Sequence, residues 1–441
     1  YKSIFYMESE CSAPGSPDIS PCVNLKNVAF NIGQVTELAG MVLVGSGLQA
    51  PTSPVIQPVF NTKDPIKVGQ VYGSIADGTA RILYQPWEDH AGSTDSPVAI
   101  GNAIDWMQKT LTGGSGLAPT NQIWGWKLFG TALALLGAFL FLFPMGSLLL
   151  ASSYFAPLVD TVPEYKGFKG FGWVIGALIT TALGPLLYVW VFQHMFFTPW
   201  ISPNSLWPQN FTNIYMVWSV LVGVIAIALI FLNHFVFTKK QGATAVNYGL
   251  TTAGKGVEWD KVWKALFLAI LVLLPVYLIL VFTNSVLLVD FRAWVVALMP
   301  MTPARFSAFL GYLIPFALYF VPQGILFAGF LRVNNGKASL GREMVTNAIV
   351  LTLGAGVWLL LFYVPVMAQA PLIIKGSGML GPLAAGMGAI YYIPLVVLWP
   401  LAACLYTYFF RKTGRVYTGI FLVTLFMVWY LAAFGVFAVM N

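Results

Sequence analysis

Two hydrophobic patterns divide this chain. Up to Lys109, polar and apolar residues alternate in short runs, with many Asp, Glu, Ser and Pro between them. From Trp124 onward, apolar stretches of 20 residues or more follow one another, separated by short basic or Pro-rich loops. About 20 apolar residues cover the hydrocarbon core of a bilayer as a helix. Eight stretches meet that length, at 124–150, 170–197, 213–238, 262–288, 304–331, 343–368, 381–410 and 416–440. The joint is Thr112-Gly-Gly-Ser-Gly-Leu-Ala-Pro-Thr-Asn121, whose Gly/Ser content suits a flexible tether. The pattern therefore predicts a soluble domain over 1–111, a linker over 112–123 and a membrane domain of about eight helices over 124–441.

Within the first region the expected elements are short. Lys2-Ser-Ile-Phe-Tyr-Met7, Asn27-Val-Ala-Phe-Asn-Ile32 and Ala80-Arg-Ile-Leu-Tyr84 read as buried strands. A helix follows, with Thr94 or Ser96 as its cap, Pro97 in its first turn and an apolar stripe of Ile100, Ile104, Met107 and Leu111. Parallel strands joined by long connections and closed by a helix make an α/β arrangement. The expected class is a mainly α-helical polytopic membrane protein with an N-terminal α/β soluble domain.

Charge then orients the spans. Loops after spans one, three, five and seven hold Lys166, Lys169, Lys239, Lys240, Lys255, Lys261, Lys264, Arg332, Lys337, Arg342, Arg411, Lys412 and Arg415. The loops between spans on the other side hold only Arg292, Arg305 and Lys375. Basic residues concentrate in cytoplasmic loops, so the soluble domain and Asn441 are expected outside. Cys11 and Cys22 are then free to pair, and Asn210-Phe-Thr212 is a glycosylation triplet in an exterior loop.

Composition narrows the classes. The chain is 58% hydrophobic and 9% charged, far below the roughly 25% charge of soluble domains. Its net charge of +7 is accounted for by loops beside the membrane, so the expected partner is the lipid bilayer and no nucleic acid. Three His and three Cys are scattered, with no metal-ligand spacing, phosphate-binding loop or haem motif, so no cofactor or metal is expected. No series of intramembrane carboxylates suggests a proton relay, which places a transporter third among the functional readings.

The chemistry-bearing residues lie in the soluble region. His90 follows the third strand in Pro86-Trp-Glu-Asp-His-Ala-Gly92, and Gly33-Gln-Val-Thr-Glu37 follows the second. This order resembles the C-terminal part of an α/β-hydrolase domain, in which one strand ends in a loop with the triad acid and the next in a loop with the triad His. The whole chain resembles bacterial membrane proteins in which such a domain precedes a multi-span region. The resemblance implies His90 as general base. Thr36 falls at the acid position, leaving Glu37 or Asp64 to orient the base. Glu88 and Asp89 read as solvated loop charges. The nucleophile elbow G-x-S-x-G does not occur in the 441 residues, and a triad without its nucleophile forms no acyl-enzyme. The chain therefore reads as beginning just after the nucleophile helix. Two functions follow as expectations: ester or amide hydrolysis completed by a separate N-terminal hydrolase segment, or a structural subunit that docks other membrane-protein subunits.

Overall fold

The computed structural model describes residues 2–9, 22, 24–42, 44–195, 198–253, 255–373 and 381–435. Cys11, Lys375 and Asn441 lie outside the described residues; Cys22 is disulfide-bonded. The chain is mostly helical, at 63% helix. It divides into two compact units: residues 1–127 with 358–393, and residues 128–357 with 394–441.

The first unit contains three parallel strands in the order β1 (Ile4–Met7), β2 (Val28–Asn31) and β3 (Arg81–Tyr84). Every residue of β2 is buried, as expected for a central parallel strand covered on both faces. One face carries Phe30, Ile56, Phe60 and Leu83, covered by the long excursion between β2 and β3. The other carries Ala29 and Ile82 against Trp106. Two helices close the unit's N-terminal part: the single turn α1 (His90–Ser93) and α2 (Pro97–Thr110). Ser96 caps α2 by accepting from the amides of Val98 and Ala99, with Pro97 in the first turn. Trp106 of α2 donates its indole N–H to the Ile4 carbonyl at 3.1 Å, so the helix is fastened to the sheet by a polar contact as well as by burial. The α/β order expected from the strands is thus present. Its scale is not that of a hydrolase domain: three strands of four residues make a small sheet.

The eight spans are α3 (Trp124–Leu150), α4 (Phe171–Met195), α5 (Asn210–Asn233), α6 (Trp259–Leu287), α7 (Pro303–Ile325), α8 (Leu340–Met367), the pair α9 (Gly381–Tyr392) and α10 (Leu395–Thr413), and α11 (Tyr417–Phe434). The seventh span, expected as one helix, is broken at Ile393-Pro394, where proline has no amide to continue the ladder. The boundary between the two units falls at the same place. A two-stranded hairpin, β4 (Phe291–Ala293) and β5 (Val296–Leu298), fills the loop between α6 and α7, and Asp290 pairs with Arg292 at 2.7 Å. The glycosylation triplet lies in the first turn of α5, where Thr212 is buried and donates to Gln209. That placement removes it from an open loop.

Within the second unit, the loops after α3, α5, α7 and α10 meet. Asp160 binds Lys261 at 2.6 Å and Arg415 at 3.0 Å. Glu258 lies 3.5 Å from Lys261 and 3.7 Å from Arg415. Arg332 is buried and donates to the carbonyls of Ala328, Pro163 and Asn247 at 2.5, 2.6 and 3.1 Å. Its guanidinium also stands over the Phe410 ring at 4.6 Å. Four loops that alternate along the chain are brought to one end of the helices by these ties.

Candidate functional site

Because β1, β2 and β3 run parallel, the segments leaving their carboxyl ends converge, the position where open α/β sheets bind ligands. Glu8 follows β1, Gly33–Glu37 follows β2 and Pro86–His90 follows β3. Backbone bonds knit the last two segments: Ile32 N–H donates to Tyr84 at 3.0 Å, and Gln34 N–H to Pro86 at 2.8 Å. Gly33 has no room for a side chain, since a Cβ there would strike the Glu88 carbonyl.

Two carboxylates are buried in this convergence, each about 5% exposed. Glu8 accepts from the Gly33 amide and from the Thr36 hydroxyl. Burial, reinforced by the nearby Glu37 and Glu88, pushes its carboxyl up to about 8. Thr36, which falls at the acid position of the resemblance, therefore serves as a donor to Glu8. Glu37 accepts from the His90 backbone amide at 2.7 Å and from the Tyr363 hydroxyl at 2.5 Å. Burial and the charge of Asp89 push the Glu37 carboxyl up to about 7.

The structure thus brings Glu37 to His90, by way of the His90 amide. The imidazole is largely buried, which lowers its pKa from the ordinary value, and its Nδ1 is enclosed without a hydrogen-bond partner. Asp64 is exposed instead; its backbone is tied to Gln57 and Thr62, and it makes no contact with His90 among the described residues. Glu88 and Asp89 are not solvated charges. Glu88 bonds Ser96 and is half-buried, which raises its pKa, and Asp89 caps α1 by accepting from the Gly92 amide at 2.5 Å.

Three participants had no part in the sequence reading. Glu8 carried a usable signal, an acid directly after a short apolar strand whose neighbours run parallel to it. Tyr363 and Gln369 carried none, because they are more than 300 residues away in the chain. Gln369 donates to the Gln34 carbonyl at 2.8 Å, so the glycine-then-acid loop is held from both sides. Gly386 of α9 lies against the Glu37 backbone, where a Cβ would strike its carbonyl.

The arrangement contains an acid, a buried imidazole and a second carboxyl whose titration burial raises, and no group of three or more potential metal ligands occurs among the described residues. Comparison of the chain with protein-family models, curated proteins and solved structures finds no match in any of the three, so its chemistry rests on these residues alone.

Proposed function

We propose that this chain is a multi-pass membrane protein whose N-terminal domain supplies the acid and base of a hydrolase-type site, with the nucleophile contributed by polypeptide outside these 441 residues. The observation that carries the reading is the meeting of Glu37 and His90 at the carboxyl ends of adjacent parallel strands, with Nδ1 of the imidazole buried and unpartnered. A buried polar nitrogen without a partner is costly. One side-chain rotation of Glu37 from the His90 amide toward Nδ1 would satisfy it. The carboxylate would then hold the tautomer in which Nε2, once released from its present contact with the Glu8 backbone, takes a proton from an attacking hydroxyl, as in a Ser-His-acid site. The outer edge of β1 is consistent with a companion segment: among the described residues β1 pairs only with β2, and its apolar side chains are half-buried.

Sidedness belongs to the same proposal. The loops with the basic excess lie in the cytoplasm, and the domain lies outside. Support comes from two groups of contacts. The loops after α3, α5, α7 and α10 tie together, as alternate crossings require. The end of α8 and the residues after it bind the N-terminal domain, as two segments on one side would.

A second reading has its own observation. Both oxygens of Glu37 are occupied, one by backbone and one by Tyr363, which makes the residue a fastening rather than a relay. On that reading the domain is a docking surface of a structural subunit.

The test is an esterase assay and fluorophosphonate labelling of the full chain, purified from native membranes with whatever copurifies. The hydrolase reading expects a labelled serine-bearing companion or upstream segment, and loss of turnover in His90→Ala. Absence of any label, or turnover indifferent to His90→Ala, would sink it in favour of the docking subunit.

A further inference from the structure

A cavity of about 440 Å³ lies between α4, α5 and α7, wholly within the second unit, and shares no lining residue with the Glu37–His90 site. Its size is within the range of small-molecule pockets, about 300–1,000 Å³. The walls are mostly hydrocarbon, with Ile175 and Ile179 of α4, Ala226 and Leu229 of α5 and Trp399, interrupted by Thr180, Asn233 and Gln323. Two of these wall residues, Ile175 and Ile179, are themselves over 40% exposed, so the cavity opens sideways between helices. In a membrane span that direction faces acyl chains, not water.

One end has a different character. Lys169 and Gln241 line it, both exposed, and Lys169 makes no ion pair or hydrogen bond among the described residues. Lys169 also precedes the first turn of α4, a 25-residue helix. The amides of Phe171 and Gly172 there have no acceptor among the described residues. The uncommitted amides and positive dipole end of a long helix attract an anion, and an unpaired lysine beside them adds a full charge. Several other basic residues in these loops are engaged: Lys261 and Arg415 by carboxylates, Arg332 by carbonyls, Lys166 by the Gly242 carbonyl. Lys169, like Lys240, Lys337 and Arg342, has no side-chain partner among the described residues, and of these four it alone lines the cavity.

We infer that this cavity binds one anionic phospholipid, its phosphate held by Lys169, Gln241 and the N-terminal amides of α4, and one acyl chain lying along Ile175, Ile179 and Leu229 toward Trp399. The inference is independent of the hydrolase reading. Basic pockets between spans on the cytoplasmic side are suited to anionic headgroups, and the apolar length behind Lys169 separates a lipid from a free phosphate.

The test is native mass spectrometry of the full chain in mild detergent. It is equilibrated in parallel with dioleoyl phosphatidylglycerol, dioleoyl phosphatidylcholine and water-soluble glycerol phosphate. The site retains phosphatidylglycerol over phosphatidylcholine by about fivefold, the worth of one cation near a phosphate. Lys169→Ala abolishes that preference while leaving phosphatidylcholine retention unchanged. Ala226→Trp fills the cavity and reduces retention of both lipids. Ile179→Trp, at a half-exposed lip position, does the same if the first variant fails to fold. Equal retention of the two lipids by the unaltered chain, or a Lys169→Ala variant that keeps the preference, overturns the headgroup site. Displacement of phosphatidylglycerol by glycerol phosphate at concentrations matching the lipid's own overturns the acyl-chain site.

Discussion

Two charged centres of this molecule handle burial in opposite ways. In the second unit, Arg332 and Arg415 are buried and their charges are answered: Asp160 and Glu258 face Lys261 and Arg415, and Arg332 is ringed by three carbonyls and an aromatic face. In the first unit, Glu8, Glu37, Glu88 and Asp89 gather at the strand ends around the His90 segment, and no lysine or arginine pairs with them among the described residues. The first centre lowers its electrostatic cost by pairing. The second lowers it by holding protons, with Glu8 shifted to about 8 and Glu37 to about 7. Paired burial is what structure requires. Unpaired burial with perturbed titration marks the region where function is sought.

The contrast predicts different responses to mutation and pH. Arg332→Met should have the largest effect, since it leaves the carbonyls of Ala328, Pro163 and Asn247 without donors in a buried setting. The expected loss is about 3–5 kcal/mol in thermal or denaturant unfolding of the full chain in detergent. A loss below about 1 kcal/mol would mean that water reaches these carbonyls, and the centre would not count as buried and paired.

Titration gives the next effect. Glu8 keeps its proton in the folded domain when the unfolded chain has released it. Its contribution is therefore fully present below the unfolded value of 4.5 and is lost as pH rises through about 8. Stability should fall by about 3–5 kcal/mol across that window. Glu8→Gln, which cannot ionise, should flatten the decline. A pH profile unchanged by Glu8→Gln would place the titration elsewhere in the cluster.

The smallest effect sharpens the site from outside. Asp64→Asn should alter stability by no more than about 0.5 kcal/mol, because the side chain is exposed and its loop contacts are made through backbone. It should also leave any hydrolytic turnover intact. A turnover defect in Asp64→Asn would return this residue to the place now given to Glu37.

What the sequence revealed follows from which forces act locally. The eight spans were legible to within a few residues at most ends, because crossing hydrocarbon demands an unbroken apolar length. The three strands and the Ser96 cap were legible for the same reason, being matters of a few adjacent residues. The break at Pro394 comes from a single proline within an apolar run that continues through it. Arg332 looked like one more loop cation, and only tertiary contacts reveal three carbonyls around it. At the candidate site, His90 and Glu37 were visible from strand-end position. The raised titration of Glu8 was not, because burial is a property of the assembled fold.

The contact between Tyr363 and Glu37 carries a consequence for synthesis. The two residues are 326 positions apart. At ribosomal rates of 5–20 residues per second, roughly 15–65 s separate their emergence. Through that interval the first-made domain has its sheet but lacks Tyr363, Gln369 and the close-fitting Gly386 of α9. The Glu37 loop is thus made before all eight spans but completed only after the sixth, and its closure reports that the sixth span and the helix after it have arrived.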